Sequence, residues 1–246
     1  MEPSPAPSPS HAVLDGAHSR WVHDCCWAAR GRLAVSAGFE GTVLVRRVPA
    51  ASGALEPSPL PPVVTLQHEG RVRACCPLGG SGAVATASGV SVHCWGQSFG
   101  SVSSRPVRSI ELESLFDEVQ AVAAGPRGTI LAGGTPPKQR RPPKSNGAEG
   151  AVGSCAGSVA VLDQRAGSSA AAAVLTGHAG TVWQLRWSPH NSHQVCSASA
   201  DSTAKVWDLR TNAALDTLAG DHRGGVRTCA FAGSDLQLKR WILYLN

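Results

Sequence analysis

His178, Ser197 and Asp201 stand close together in the chain and are the side-chain types of a serine hydrolase, in which a carboxylate orients an imidazole that takes a proton from an attacking hydroxyl. Their surroundings argue against that chemistry. The frame His-x-x-x-Val that holds His178 recurs at His18, His68 and His222, and a catalytic base has no reason to recur through a chain. No His-Glu-x-x-His pair or Gly-x-x-x-x-Gly-Lys-[Ser/Thr] loop is present, and no enzyme activity is expected.

The pairs Cys25-Cys26 and Cys75-Cys76 offer thiolate chemistry of the kind that binds zinc. However, Cys25, Cys75 and Cys229 fall at the same distance after their histidines, where the fourth copy has Leu185, so the position reads as a buried strand site for a small apolar group. Neighbours on a strand also point to opposite faces and cannot converge on one ion. No metal and no cofactor is expected, and the eight cysteines, without a Cys-x-x-Cys, read as reduced thiols. The tryptophans read mostly as core, with Trp21 a candidate for the surface.

The histidines are positioned by a repeat of about 44 residues, with a degenerate copy lacking the histidine at Leu115–Val119. Each copy begins with an apolar strand: Val22–Trp27, Val72–Cys76, Val119–Ala124, Val182–Trp187 and Val226–Phe231. Second strands are expected at Leu33–Ala37, Ala83–Ala87, Thr129–Ala132 and Val195–Ser199, followed by third strands ending at Val45, Trp95, Leu162 and Trp207. A fourth apolar stretch (Val63–Leu66, Val107–Ile110, Ala172–Leu175, Ala214–Leu218) leads to the next histidine. Four strands per unit at this period describe the blade of a β-propeller, an all-β fold of four-stranded antiparallel sheets. The expected blades lie near 18–66, 68–110, 115–175 and 178–218, with a partial fifth at 222–237. With 27 Gly, 17 Pro and only 16% charged residues, the composition favours short strands and many turns.

The fourth copy is the most complete. Its Leu-Thr-Gly-His (175–178), Val-Trp-x-Leu-x-Trp-Ser-Pro (182–189), Ser-Ala-Ser-Ala-Asp (197–201) and Lys-Val-Trp-Asp-Leu-Arg (205–210) resemble a full WD repeat. The resemblance implies a structural tetrad of His178, Ser197, Asp201 and Trp207, linked by hydrogen bonds so that no buried polar group is orphaned. It also implies weaker blades elsewhere. The first has Glu40 at the Asp position and Arg46 at the Trp position, so its tetrad should be incomplete. The second has His68, Thr86 and Trp95 but no Asp, with one residue fewer between Thr86 and Trp95. The third lacks the His and carries Leu162 for Trp.

Residues 1–10 read as a disordered Pro/Ser tail, Gly134–Gly157 as a disordered insertion carrying Lys138, Arg140, Arg141 and Lys144, and 238–246 as an atypical C-terminal tail. The pattern stops after the fifth copy's first strand, so the sequence is expected to be a truncated form of a longer protein. The alternative is a four-bladed ring closed by His11–Leu14. A net charge of +5 is too small and scattered to decide a partner class. Met1–Ser10 has no signal-peptide pattern and no run could insert in a membrane, which points to the cytoplasm, the nucleus or both.

A non-catalytic protein-interaction scaffold or adaptor is the expected function. Arg71, Arg73, Arg223 and Arg227 fall at or near the turn into the first strand, where the resemblance implies an exposed face, and form a candidate surface for an acidic partner. Residues 195–210 also resemble the Trp-Asp-x-Arg box of substrate receptors of cullin-RING ubiquitin ligases, with Asp201, Asp208 and Arg210 at the adaptor-contacting positions. Trp-Ser-Pro-His-Asn (187–191) resembles a peroxisomal import receptor of WD type. Nucleic-acid or chromatin binding through the basic loop is a further alternative, although nucleic acid is not the expected partner.

Overall fold

The computed structural model describes residues 18–48, 62–80, 82–98, 101–102, 105–137, 157–163, 171–220 and 223–231. The Pro/Ser tail, His11–Leu14, most of the 134–157 insertion, His222 and the 238–246 tail lie outside the described residues.

Short runs of small and β-branched residues between Gly- and Ser-bearing turns form four antiparallel sheets of four strands. The first contains β1 (Val22–Ala28), β2 (Leu33–Gly38), β3 (Thr42–Arg47) and β4 (Pro62–Gln67). The second has β5 (Val72–Leu78), β6 (Ala83–Ser88) and β7 (Ser91–Trp95). After a two-stranded ribbon of β8 (Gln97–Ser98) and β9 (Ser101–Val102), it is completed by β10 (Arg108–Glu111). The third holds β11 (Glu118–Ala124), β12 (Thr129–Thr135), β13 (Gly157–Asp163) and β14 (Ala173–His178). The fourth holds β15 (Val182–Trp187), β16 (Gln194–Ser199), β17 (Ala204–Asp208) and β18 (Ala213–Leu218). Gly134 and Gly157 are thus strand residues, not the ends of a loop. One 3-10 turn, Pro126–Gly128, is the helical element of the described residues, and none of their helices is long and apolar enough to cross a membrane.

The sheets stack through small apolar faces. Val72 and Cys75 of β5 enter a cluster with Val35, Ala37, Val43, Val45 and Leu66 of the first sheet. Val119 and Val122 of β11 pack with Ala85, Ala87 and Cys94 of the second. Val182 and Leu185 of β15 pack with Leu131 and Val159 of the third. Fully burying one such side chain is worth about 1.5–3 kcal/mol, so each blade depends on its neighbour. Trp187 lies so close over Gly125 that a Cβ there would meet its ring at 2.4 Å.

The corresponding face of β1 is bare among the described residues. Val22 is 50% exposed and Trp27 61%, and Cys25 is exposed as well. The expectation that Cys25, Cys75 and Cys229 share a buried environment is therefore corrected. Cys75 and Cys229 are buried against a preceding sheet, whereas none of the described residues covers Cys25. The tryptophans divide likewise: Trp95 and Trp207 are buried, while Trp21 and Trp27 are exposed. At the other end, Val226 and Cys229 pack on Cys196, Ala198, Ala204 and Val206, and the Val226 amide donates to the Ser199 carbonyl at 2.8 Å. Residues 225–231 form no ladder, so the fifth copy's expected strand is not formed among the described residues.

Candidate functional site: buried histidine sets and a polar channel mouth

The fourth sheet brings His178, Ser197, Asp201 and Trp207 into one relay. The Trp207 indole N–H donates to Ser197 Oγ at 2.8 Å, Ser197 Oγ lies 2.7 Å from His178 Nε2, and His178 Nδ1 lies 2.8 Å from Asp201 Oδ2. Asp201 also accepts from the Ala179 amide at 2.9 Å and from the Thr203 amide and hydroxyl at 2.9 and 2.6 Å. Burial by itself raises the Asp201 carboxyl, but the bonds from Thr203, Ala179 and His178 outweigh it and hold its pKa at about 2. Burial pushes the His178 pKa down despite Asp201, which favours the neutral imidazole. Ser197 is 0% exposed and its oxygen serves both Trp207 and His178, so no substrate carbonyl can reach it.

The first sheet's set lacks the indole, since Arg46 stands at the Trp position, but its histidine has a carboxylate partner. His18 Nε2 lies 2.8 Å from Ser36 Oγ, and His18 Nδ1 lies 2.5 Å from Glu40 Oε1, which also accepts the Thr42 hydroxyl at 2.5 Å. The longer glutamate thus does the work of the aspartate. Arg46, at the Trp position opposite Ala34, is only 3% exposed. In the second sheet the missing residue is absorbed by a tighter β6–β7 turn. Trp95 still pairs with Val84, and its indole N–H donates to Thr86 Oγ1 at 2.8 Å. His68 reaches Thr86 at 3.3 Å and packs against Trp95 and His93 with no carboxylate partner among the described residues, and burial pushes its pKa down to about 4. The third sheet drops the polar set altogether. Ala132 and Leu162 stand at the Ser and Trp positions inside an apolar cluster, with Leu115 packed against it. Replacing every partner by an apolar group leaves nothing unpaired.

Each inner strand carries a β-bulge at the same place: between Val22 and Asp24, Val72 and Ala74, Val119 and Ala121, and Val182 and Gln184. A bulge re-aims the extra side chain. The residues so displaced, His23, Arg73, Gln120 and Trp183, line one cavity of about 200 Å³ together with Arg227, Asp24, Gln184 and Arg186. Four sheets and the start of the fifth copy therefore share a polar channel.

Of the arginines singled out by sequence, Arg73 and Arg227 line this cavity. Arg73 is bound to Glu118 by two bonds of 2.9 and 3.1 Å, while the Arg227 guanidinium sits 4.1 Å from the Trp183 ring centre. Arg71 is exposed, 4.8 Å from the Phe39 ring centre, and Arg223 is exposed but does not line the cavity. Asp208 holds Arg210 through contacts of 2.5, 3.0 and 3.2 Å, and Arg210 keeps the Asp208 carboxyl at about 2.

Sequence reasoning missed the residues that tie blades at the channel. Asp24 Oδ2 accepts the Cys75 amide at 2.9 Å, and Gln184 accepts the Cys229 amide at 2.8 Å as well as the Thr228 hydroxyl. Both acceptors stand one residue before the aligned cysteine or leucine of their copy, a register that would have found them. Among the described residues no group of three His, Cys, Asp or Glu side chains could hold a metal ion.

Comparison with known proteins places these features. The profile of the family described as "WD domain, G-beta repeat" matches residues 10–46 and 171–208, the first and fourth blades, where a carboxylate completes the histidine set. The chain is 35% identical over 91 residues to a "Ribosome biogenesis protein WDR12 homolog" of Chlamydomonas reinhardtii, covering 31% of this chain and 20% of that protein. It is 38% identical over 79 residues to a "Ribosome biogenesis protein YTM1" of Kluyveromyces lactis, covering 31% and 18%. A WDR12 homolog of Nematostella vectensis is 47% identical over 38 residues, covering 15% and 9%. The chain thus spans about a fifth or less of the relatives it matches. Residues 10–46 and 171–208 thus match WD repeats, and the described residues fold as four four-stranded antiparallel sheets, the blades of a β-propeller.

Proposed function

We propose that this chain is a non-catalytic protein-interaction scaffold that serves ribosome assembly. The observation that carries the scaffold reading is the division of its polar residues. The hydrolase-like sets His18–Ser36–Glu40 and His178–Ser197–Asp201 lie within their blades, whereas His23, Arg73, Gln120 and Trp183 from the four described sheets line a common cavity with Arg227. The assignment to ribosome assembly rests on the likeness to ribosome biogenesis proteins and carries the nuclear half of the compartment expectation. Arg71, Arg73, Arg223 and Arg227 are the proposed surface for an acidic partner, with Arg227 best placed because Trp183 orders its guanidinium without neutralising it.

Sucrose-gradient sedimentation of cell extract tests this reading. The tagged chain is expected to travel with pre-ribosomal particles and to shift to the light fractions in Arg71→Gln/Arg227→Gln. A chain that stays light before any substitution would overturn it. The ubiquitin-ligase reading finds less support, since Asp201 and Asp208 are engaged within the chain and only Arg210 presents an exposed group.

A further inference from the structure

We propose that an aromatic and arginine cluster where the first blade meets the channel mouth binds single-stranded nucleic acid, stacking a base on Trp21 and holding flanking phosphates with Arg20 and Arg71. Trp21 is 78% exposed at the turn into β1. Its ring centre lies 6.1 Å from that of Phe39, and the Phe39 amide donates to the Trp21 carbonyl at 2.9 Å, which fixes the pair. His23 stands 5.5 Å from the same ring, and the Arg20 and Arg71 guanidiniums lie 5.7 and 4.8 Å from its centre.

The fold does not require these residues. At the position of Trp21 the other copies have Arg71, Glu118, Thr181 and Gly225; at that of Phe39 they have Gly89, Thr135 and Ala200; at that of Arg20 they have Gly70, Asp117, Gly180 and Gly224. Three departures from the repeat thus converge on one spot. Neither Arg20 nor Arg71 has a carboxylate partner among the described residues. Of the acids nearby, Glu40 is engaged by His18 and Thr42 and Glu118 by Arg73. An acidic peptide would need only the guanidiniums. An indole left open beside them supplies what a base uses, a π-face that tolerates any sequence, with arginines within reach of the backbone.

The inference shares Arg71 with the proposed acidic-partner surface but stands on Trp21 and Arg20, which that surface does not use, so Trp21→Ala separates the two. Fluorescence anisotropy of the full chain with a labelled oligouridylate of roughly ten nucleotides tests it. Saturable binding is expected, weakened about tenfold by Trp21→Ala. In Arg20→Gln/Arg71→Gln the slope of log K against log salt should be shallower by about 1.4. Trp27→Ala, an exposed indole away from the cluster, should bind as the unaltered chain does. Preference over oligothymidylate would assign the site to RNA, and equal binding to any single strand. Absence of saturable binding at low salt, an unchanged Trp21→Ala, or displacement by oligoglutamate with Trp21→Ala unaffected would overturn the proposal.

Discussion

Asp24 reaches across from the first blade to accept the backbone N–H of Cys75 in the second at 2.9 Å, and so closes a polar gap between two inner strands at the channel wall. Its other oxygen accepts the Cys25 amide at 2.9 Å. Burial raises the Asp24 carboxyl pKa more than these two amides and Arg186 lower it. The bond therefore sits on a group whose charged form is costly. Asp24→Ala should destabilise by about 1–3 kcal/mol by orphaning the Cys75 amide. Asp24→Asn keeps an acceptor and removes the charge. Because the folded pKa is raised, the aspartate's cost is present above that pKa and is relieved as pH falls through it. Urea denaturation at pH 7 and near pH 4, close to the ordinary carboxyl value of 3.8, should show the asparagine variant gaining on the unaltered chain at the higher pH.

Acid should weaken the fold through its histidines before its carboxylates. His68 is pushed to about 4, and burial also lowers His178 and His93. For each, the unfolded chain takes up its proton first, so stability is full above the ordinary value of 6.5 and drains away as pH falls toward the folded pKa. Asp201, held at about 2, adds a loss that begins only below its ordinary value of 3.8. Thermal denaturation across pH 7 to 4 should show a falling Tm, and His68→Phe should flatten that slope. An unchanged slope would remove His68 from the explanation.

In the third blade the logic inverts. Ala132 is 0% exposed among apolar neighbours, with Leu162 and Leu115 where other blades have indole and imidazole. Ala132→Ser buries a hydroxyl without the relay that receives Ser197, and should cost about 1–3 kcal/mol in the urea midpoint. In the first blade, Glu40→Gln keeps an acceptor for His18 and Thr42, whereas Glu40→Ala removes it. The alanine variant should be the less stable of the two by about 1 kcal/mol.

The equivalent tryptophans of the first and fourth blades should respond differently to truncation. Trp187 covers Gly125 and donates to the Ser192 carbonyl at 3.2 Å, whereas Trp27 is 61% exposed. Trp187→Ala should cost about 3 kcal/mol and Trp27→Ala under about 0.5 kcal/mol, as read from urea midpoints.

The blades were legible in the sequence because the His-x-x-x-Val frame and the strand periods repeat: the inner strands of the first, second and fourth blades begin at the valine of that frame, and that of the third begins at Glu118, one residue before Val119. Glu40 was undervalued because a residue-type match ignores reach: one added methylene with Gly41 behind it brings the carboxylate to His18. The shorter β6–β7 turn looked like damage because residue spacing does not report register, and register is what places Trp95 beside Thr86. The bulge residues His23, Arg73, Gln120 and Trp183 share no side-chain type, so alignment by similarity passes over them, and only their common place in the backbone unites them. Exposure of Cys25 and Trp27 depends on which sheet lies beside β1, which residue types do not encode.

The claim on which the rest depends is that the hydrogen-bonded set of His178, Ser197, Asp201 and Trp207 is an internal brace of its blade. Urea denaturation of Ser197→Ala followed by tryptophan fluorescence tests it most directly. Loss of the hydroxyl orphans the Trp207 indole N–H and the His178 ring nitrogen, so the variant should unfold with about 2 kcal/mol less stability. A variant as stable as the unaltered chain would contradict it, because a serine that can be removed without cost is not bracing a blade.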